Sequence, residues 1–345
     1  MLLLKLSIIT ALSYILVKLI TKYAYELKFL DIPNERSHHC DIIPSGAGIG
    51  FVSAISISIG LFEFELLMQY WYIYLALFMV FSIGVVDDRY EVSARWKFIV
   101  IFIAVFLMWI YGTTIDNLGV WFGYELGLNS IVALFFTMFA LAGFTNALNL
   151  IDGIDGLSSS ISIVILSFFL MIGLEHSDHL MVVLSSFSIA GIVGFMFLNW
   201  HPAKIFMGDS GSLSLGFIIS ILAVLSIKYI HPIVILYLAA IPILDTLIVI
   251  IRRIRRGKSP FSPDKTHLHH ILVKFFENNV QKTVIFLSML QLIFSSIGYM
   301  LIGIINKDHH PIVPLLATVG FALMFVVFYM IFTGIKKRQI ALEER

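Results

Sequence analysis

Charge is scarce in this chain. Asp, Glu, Lys and Arg together make up 13% of its 345 residues, about half the share of an ordinary soluble domain. Hydrophobic residues reach 59%, and the mean hydropathy is +0.96. Length alone would allow two soluble domains of about 150 residues. So little polar side chain cannot cover so much apolar surface in water, so the chain must be solvated largely by lipid. Cysteine is nearly missing as well: Cys40 stands alone, which excludes an intramolecular disulfide and the stapled scaffold of small secreted domains. No basic excess exists either. The formal net charge is +1, which gives nucleic acid no electrostatic footprint.

What is there is apolar sequence in long runs. Crossing about 30 Å of hydrocarbon takes roughly 20 mostly apolar residues. Eleven candidate segments follow one another: Leu2–Ile20, Gly46–Phe62, Trp71–Val86, Phe98–Gly112, Ser130–Phe144, Ser158–Leu174, Leu180–Leu198, Leu213–Ile227, Ile233–Ile251, Thr283–Ile305 and Pro311–Ile335. Leu2–Ile20 resembles a signal peptide but lacks a convincing small-x-small cleavage site, and further apolar segments follow, so it reads as the first span. Glu63 and Glu65 divide the second span from the third. With the N-terminus outside and strict alternation, Lys5, Lys228 and Lys307 fall outside and Lys18 within the first span. Every other Lys and Arg then falls on the cytoplasmic side, as the positive-inside rule requires. Merging the second and third spans would invert every later loop and destroy that bias. The expected fold is therefore all-α: one polytopic membrane domain over residues 1–345, with about eleven transmembrane helices and a cytoplasmic C-terminus.

The cytoplasmic loops are then 21–45, 87–97, 145–157, 199–212 and 252–282, and they hold nearly all the chemically capable side chains. Asp87 and Asp88 close the third span. Adjacent carboxylates repel, which favours a shared cation or a raised pKa, and Arg89 and Lys97 lie near in sequence. The stretch from Asn146 to Leu157 supplies Asn146, Asn149, Asp152 and Asp155 with Gly153 and Gly156. Such oxygen donors suit Mg²⁺, which combines one or two protein ligands with phosphates and water. Asn199 opens a loop that ends in Gly208-Asp209-Ser210-Gly211. That string also surrounds the nucleophile of chymotrypsin-like proteases, but nothing else here supports a triad. A Gly-Asp-Ser-Gly turn between spans instead presents one carboxylate and several N–H groups to a metal or phosphate. The fifth loop carries Arg252, Arg253, Arg255 and Arg256, which anchor topology, and then His267, His269 and His270. With no cysteine near these histidines, nucleotide or diphosphate binding is the better reading than zinc. Asp245, about two turns inside the ninth span, is either functional or a structural partner for Arg252 or Lys204.

Taken together and in this order, the five loops resemble the polyprenyl-phosphate N-acetylhexosamine-1-phosphate transferase family over Asp31 to His270. The string His267-Leu268-His269-His270, preceded by Ser259-Pro260-Phe261, is similar to the branch that transfers N-acetylglucosamine. Paired glycines usually precede the second span, whereas Ala47-Gly48 follows Gly46 here, and Arg36-Ser37 stands where Arg-Lys is common. By this resemblance Asp209 and Asn149 hold Mg²⁺, with Mn²⁺ as a substitute, and Lys97 contacts the diphosphate. Asp152, Asp155 and Asn199 line the uridine and sugar-phosphate site, Asp155 among the catalytic groups and Asn146 among the substrate-binding ones. His267, His269 and His270 bind the nucleotide sugar, and either Asp87 or Asp88 deprotonates or positions the lipid phosphate. The resemblance implies transfer of an N-acetylhexosamine-1-phosphate from a UDP-sugar to undecaprenyl phosphate at the cytoplasmic face of a bacterial inner membrane, starting O-antigen or another envelope polysaccharide. A second copy of the chain is a candidate partner. The muramoyl-pentapeptide branch is the alternative within the family. A CDP-alcohol phosphotransferase would need an Asp-Gly-x-x-Ala-Arg core, but Leu-Ser-Ser follows Gly156. A transporter would need an internal repeat and polar groups at mid-membrane, neither of which is evident.

Overall fold

The structure, a computed structural model, describes residues 1–31, 42–259, 267–308 and 312–343. The first-loop residues Arg36 and Ser37 lie outside the described residues. In hydrocarbon every backbone polar group must be satisfied within its own segment, so apolar runs fold as helices. Over its described residues, each of the eleven apolar segments is mainly helical. In chain order the first elements are α1 (Leu2–Leu27), β1 (Leu30–Asp31), β2 (Ile43–Pro44), α2 (Ala47–Phe62), α3 (Phe64–Gln69), α4 (Trp71–Tyr90) and α5 (Ala94–Ile110). Next come β3 (Asn117–Trp121), β4 (Tyr124–Gly127), α6 (Ser130–Ile151), α7 (Leu157–Glu175), α8 (His179–Asn199) and α9 (Asp209–Ser226). The chain ends with α10 (Pro232–Leu238), α11 (Ala240–Arg255), α12 (Leu268–Phe275), α13 (Val280–Asp308) and α14 (Val313–Glu343). The short strands pair as two antiparallel hairpins, β1 with β2 and β3 with β4.

By length and apolarity, 8 of the described helices can cross a membrane, or 9 if the bent pair α10–α11 counts as one. The segments over Gly46–Phe62 and Phe98–Gly112 fold as α2 and α5, which have 16 and 17 residues, short of the roughly 20 that a full crossing takes. The ninth segment differs from the expected single span: α10 and α11 meet at 87°. The cause is local. Pro242 has no N–H, so the carbonyl of Leu238, four residues earlier, loses its helical donor. Gln291 of α13 replaces it, with Nε2 donating to Leu238 O at 2.8 Å while its Oε1 accepts from Ile241 N at 2.9 Å. The Ser295 hydroxyl donates to the same Leu238 carbonyl at 3.0 Å.

The bundle is built around α9, which packs on α2, α4, α6, α7 and α8. Ser214, Ser220 and Ser226 return their hydroxyls to its own carbonyls, Ser214 to Ser210 O at 2.6 Å. Glycines let its neighbours come close, the usual device for helix association in lipid. A Cβ on Gly84 of α4 would stand 2.6 Å from Asp209 O, and one on Gly48 of α2 would stand 2.0 Å from Gly211 N. The start of α2 and the end of α4 thus meet the same end of α9, so α2 and α4 run in opposite directions, with Glu63 between them. At the other end of the bundle Glu63 accepts from Lys5 Nζ at 2.6 Å and pairs with His179 Nε2 at 2.9 Å, joining α1 and α8 to this turn.

Two apolar grooves flank α9. One, of about 320 Å³, lies between α2 and α4 and ends inward at Phe81 and Ser214. The other, of about 390 Å³, runs between α6 and α11 from Ile115 to Ala147 and Ile250. Replacing Gln291 with Leu should leave the Ile241 N–H at the bend without its acceptor and the Leu238 carbonyl with Ser295 alone. A buried orphan of this kind costs about 1–3 kcal/mol. An earlier thermal transition of the detergent-solubilised protein would register it, and an unchanged transition would show that the bend does not rely on Gln291.

Candidate active site

The candidate residues collect at one end of the bundle, where α9 begins. Gly208 precedes the helix with φ +73°, a conformation that favours glycine, and a Cβ there would strike the Asp88 carboxylate at 2.6 Å. Asp88, at the end of α4, accepts from Asp209 N at 2.5 Å and from Ser210 N at 3.1 Å. An acceptor from another helix therefore satisfies two of the N–H groups that a helix start leaves unpaired, and its charge complements the positive end of the helix dipole. Strand-like bonds fix the approach: Phe206 N donates to Pro44 O at 2.9 Å, and Gly48 N donates to Met207 O at 2.9 Å.

Asp209 pairs with two side chains. Lys97 of α5 forms a short ion pair with its Oδ2 and a 2.8 Å pair with Asp87. Asn149, near the end of α6, donates to Asp209 Oδ1 and to Ser212 Oγ, both at 2.9 Å. Asp87 also accepts from Val92 N at 2.7 Å, which closes the turn after α4. Asp87, Lys97, Asn149 and Asp209 therefore form one contiguous group, with Asp88 beneath it. Asp152 follows α6 directly. Burial of its carboxyl, followed by the nearby Asp209, Asp88 and Asp155 carboxylates, pushes its pKa up to about 8. Negative charge is in excess here, with Lys97 the cation that pairs with Asp87 and Asp209. Arg89 turns elsewhere and lies over the Tyr90 ring at 5.3 Å.

Other expected site residues knit the loops together. Asn199 is 4% exposed; its Oδ1 accepts from Gly156 N at 3.0 Å and its Nδ2 donates to Ile205 O at 3.0 Å. Asp155 accepts from His201 Nδ1 at 2.6 Å and from Ala203 N at 3.0 Å. Asn146 lies half-buried, one turn before Asn149. The histidines come from the other side. His267 caps α12, and its Nδ1 lies 2.7 Å from Asp245 Oδ2, while Leu268 N donates to Asp245 Oδ1 at 2.7 Å. That contact makes Nδ1 the donor and leaves Nε2 of His267 as the ring's other polar atom. The His267 and His269 rings stack at 5.7 Å, and those of His269 and His270 lie 4.2 Å apart. A Cβ on Gly153 would stand 2.3 Å from His269 Nε2, so this glycine lets the histidine ring lie against the Asp152–Asp155 turn. Asp245 is the residue whose role the sequence leaves open. Its distance from Arg252 along the helix points to an ion pair, whereas both of its oxygens anchor the start of the histidine helix.

Hard oxygen donors converge on one ammonium here. Asp209 and Asn149 fit the donor set of Mg²⁺, an ion that takes one or two protein ligands and fills the rest with phosphates and water. No group of three or more His, Cys, Asp or Glu side chains among the described residues forms a cage of its own.

The raised Asp152 gives a pH signature. Its folded-state pKa of about 8 exceeds the ordinary 3.8, so its contribution is intact below about pH 4, declines as pH rises and is gone above about pH 8. In Mg²⁺-free detergent, wild type and Asp152→Asn should melt together near pH 4. The variant should become the more stable by pH 8. A gap that stays constant with pH would remove the raised pKa.

These elements also match known proteins. The profile described as glycosyl transferase family 4 matches residues 70–227, which span α4 to α9. A Bacillus subtilis (strain 168) protein called probable undecaprenyl-phosphate N-acetylglucosaminyl 1-phosphate transferase is 36% identical over 283 residues, covering 78% of this chain and 76% of its own. The Escherichia coli (strain K12) undecaprenyl-phosphate alpha-N-acetylglucosaminyl 1-phosphate transferase is 31% identical over 317 residues, covering 89% of this chain and 84% of its own. The Salmonella typhimurium protein of the same name is 32% identical over 270 residues, covering 75% and 73%. With identity sustained across the bundle and the clustered acidic loops inside the matched region, the chain belongs to glycosyl transferase family 4.

Proposed function

We propose that this chain transfers N-acetylglucosamine-1-phosphate from UDP-N-acetylglucosamine to undecaprenyl phosphate, releasing UMP. The observation that carries this reading is the joining of Asp209, Lys97, Asp87 and Asn149 where α9 begins, together with relatives named for that transfer. A lipid phosphate oxygen attacks the β-phosphorus of the nucleotide sugar, the bond from that phosphorus to the bridging oxygen breaks, and UMP carries the electron pair away. Two anions must meet, so their repulsion has to be offset. Lys97 is placed to do so between Asp87 and Asp209. Asp209 and Asn149 would hold Mg²⁺, or Mn²⁺ in its place, which supplies further charge neutralisation on the diphosphate. Both oxygens of Asp88 are engaged by α9, which favours Asp87 as the group that takes the proton of the lipid phosphate or positions it. Asp88 then acts by holding Asp209. His267, His269 and His270 receive the nucleotide sugar, beside Asp152 and Asn146.

The lipid tail fits the groove between α6 and α11, which follows α6 from Phe139 to Ala147, two residues from Asn149. In this reading α2, α5 and the bent pair also traverse the bilayer, giving eleven crossings with the N-terminus outside. The reacting groups then face the cytoplasm of a bacterial inner membrane, a sidedness that the distribution of Lys and Arg supports. The product would begin O-antigen or another envelope polysaccharide.

Membranes supplied with Mg²⁺, undecaprenyl phosphate and a panel of labelled UDP-N-acetylhexosamines should yield UMP and a lipid-diphosphate sugar, with N-acetylglucosamine preferred. Release of UDP, or no lipid product with any sugar, would sink the reading. Chelation should abolish turnover and Mg²⁺ restore it, and Asp209→Asn should lower kcat by about 100-fold or more at unchanged expression. Gly143 lines the α6–α11 groove with open space around it. Gly143→Leu should therefore raise the KM for the lipid several-fold and leave that for the nucleotide sugar unmoved. An equal rise in both would place the tail elsewhere.

A further inference from the structure

The last helix plays no part in the site as described so far. α14 has 31 residues, about 46 Å at ~1.5 Å per residue, and hydrocarbon takes up only about 30 Å of that. A helix of that length exceeds what the apolar layer takes up, and from Tyr329 onward its polar side chains reach the arginine–histidine region. The Tyr329 hydroxyl accepts from Arg255 Nη1 at 2.8 Å, and Thr333 Oγ1 accepts from Arg252 Nη2 at 3.2 Å. The Tyr329 ring lies 5.0 Å from the Arg255 guanidinium and 5.9 Å from that of Arg252. Further along, Gln339 Nε2 donates to Ile271 O of α12 at 3.0 Å. Toward the other end the same helix meets α10, where the Tyr237 hydroxyl donates to Ala317 O at 2.6 Å. One helix thus touches both arms of the 87° bend and also the helix that carries the histidines.

We propose that Tyr329 and Gln339 are positioning residues for the nucleotide-sugar end of the site, with α14 as the strut that holds α11 and α12 in place. A guanidinium held near an aromatic ring and hydrogen-bonded to that ring's hydroxyl has a restricted orientation, and Tyr329 supplies both contacts to Arg255. α11 leaves the bend with four arginines in its last turn and the adjoining residue. α12 is 8 residues long, too short to hold its place without packing. Neither residue of α14 reaches Asp87, Lys97 or Asp209, so the carboxylate group is outside the strut's reach. The inference rests on the transfer reaction proposed above for what the histidines bind, but its structural part does not.

Two readouts separate those parts. In steady-state assays Tyr329→Leu should raise the KM for UDP-N-acetylglucosamine at least fivefold, with the KM for undecaprenyl phosphate within twofold. Tyr329→Phe, which keeps the ring, should recover most of the loss. Hydrogen exchange needs no substrate: amides over 267–276 should exchange at least tenfold faster in Tyr329→Leu than in wild type, while those of α9 stay unchanged. Unchanged exchange over 267–276 overturns the strut, as does a uniform loss in both KM values, kcat and α9 protection. If wild type turns over no sugar nucleotide but the exchange result holds, the transfer reading fails and the strut stands.

Discussion

One carboxylate on one helix start sets the geometry of the site. Asp88 ends α4 and accepts the first N–H groups of α9, so two helices distant in sequence are joined where Asp209 leaves the turn. The arrangement is demanding electrostatically, because Asp87, Asp88, Asp152 and Asp209 are brought to the same end of the bundle. The positive end of α9 offsets the charge of Asp88, and Lys97 offsets those of Asp87 and Asp209. What is left over is negative charge and oxygen donors, and that surplus gives the site its appetite for a divalent cation and for phosphates that bring one.

The bent pair is the second constraint. A continuous ninth helix would carry its arginines straight along the bundle axis. The loss of one donor at Pro242 allows the turn, and Gln291 satisfies the groups it exposes. Beyond the bend, Asp245 of α11 fixes His267 at the start of α12, and His269 meets Gly153 of the Asp152–Asp155 turn. Two ends of the chain thereby contribute to one site, acids from the central helices and histidines from the periphery.

Much of this was legible in the sequence, for reasons that are physical. Apolar runs in lipid have few structural choices, so all eleven segments emerge as helices. The polar loops stood out because a chain with so little charge concentrates it. What could not be read depends on single atoms. Asp87 and Asp88 are neighbours of identical type, yet one turns to Lys97 and Val92 and the other to α9. Hydropathy stays high on both sides of Pro242, so the proline was the one sign that the ninth segment breaks. The resemblance sets Asn199 and Asp155 along the sugar-nucleotide site, and it could not foretell that their oxygens also tie adjacent loops together. The partner of Asp245 lies 22 residues on, beyond any helical periodicity.

The burial of α9 has a mechanical consequence. From Ser210 to Ser226 no large apolar side chain of this helix is exposed, whereas α11, α13 and α14 present Leu247, Met300 and Leu323 outward. Changes in bilayer thickness or lateral pressure press on the outer helices first and reach Asp209 only after five neighbours have absorbed them. The carboxylate end is thus insulated from the membrane's mechanics, while the arginine–histidine end rides on helices that feel them directly.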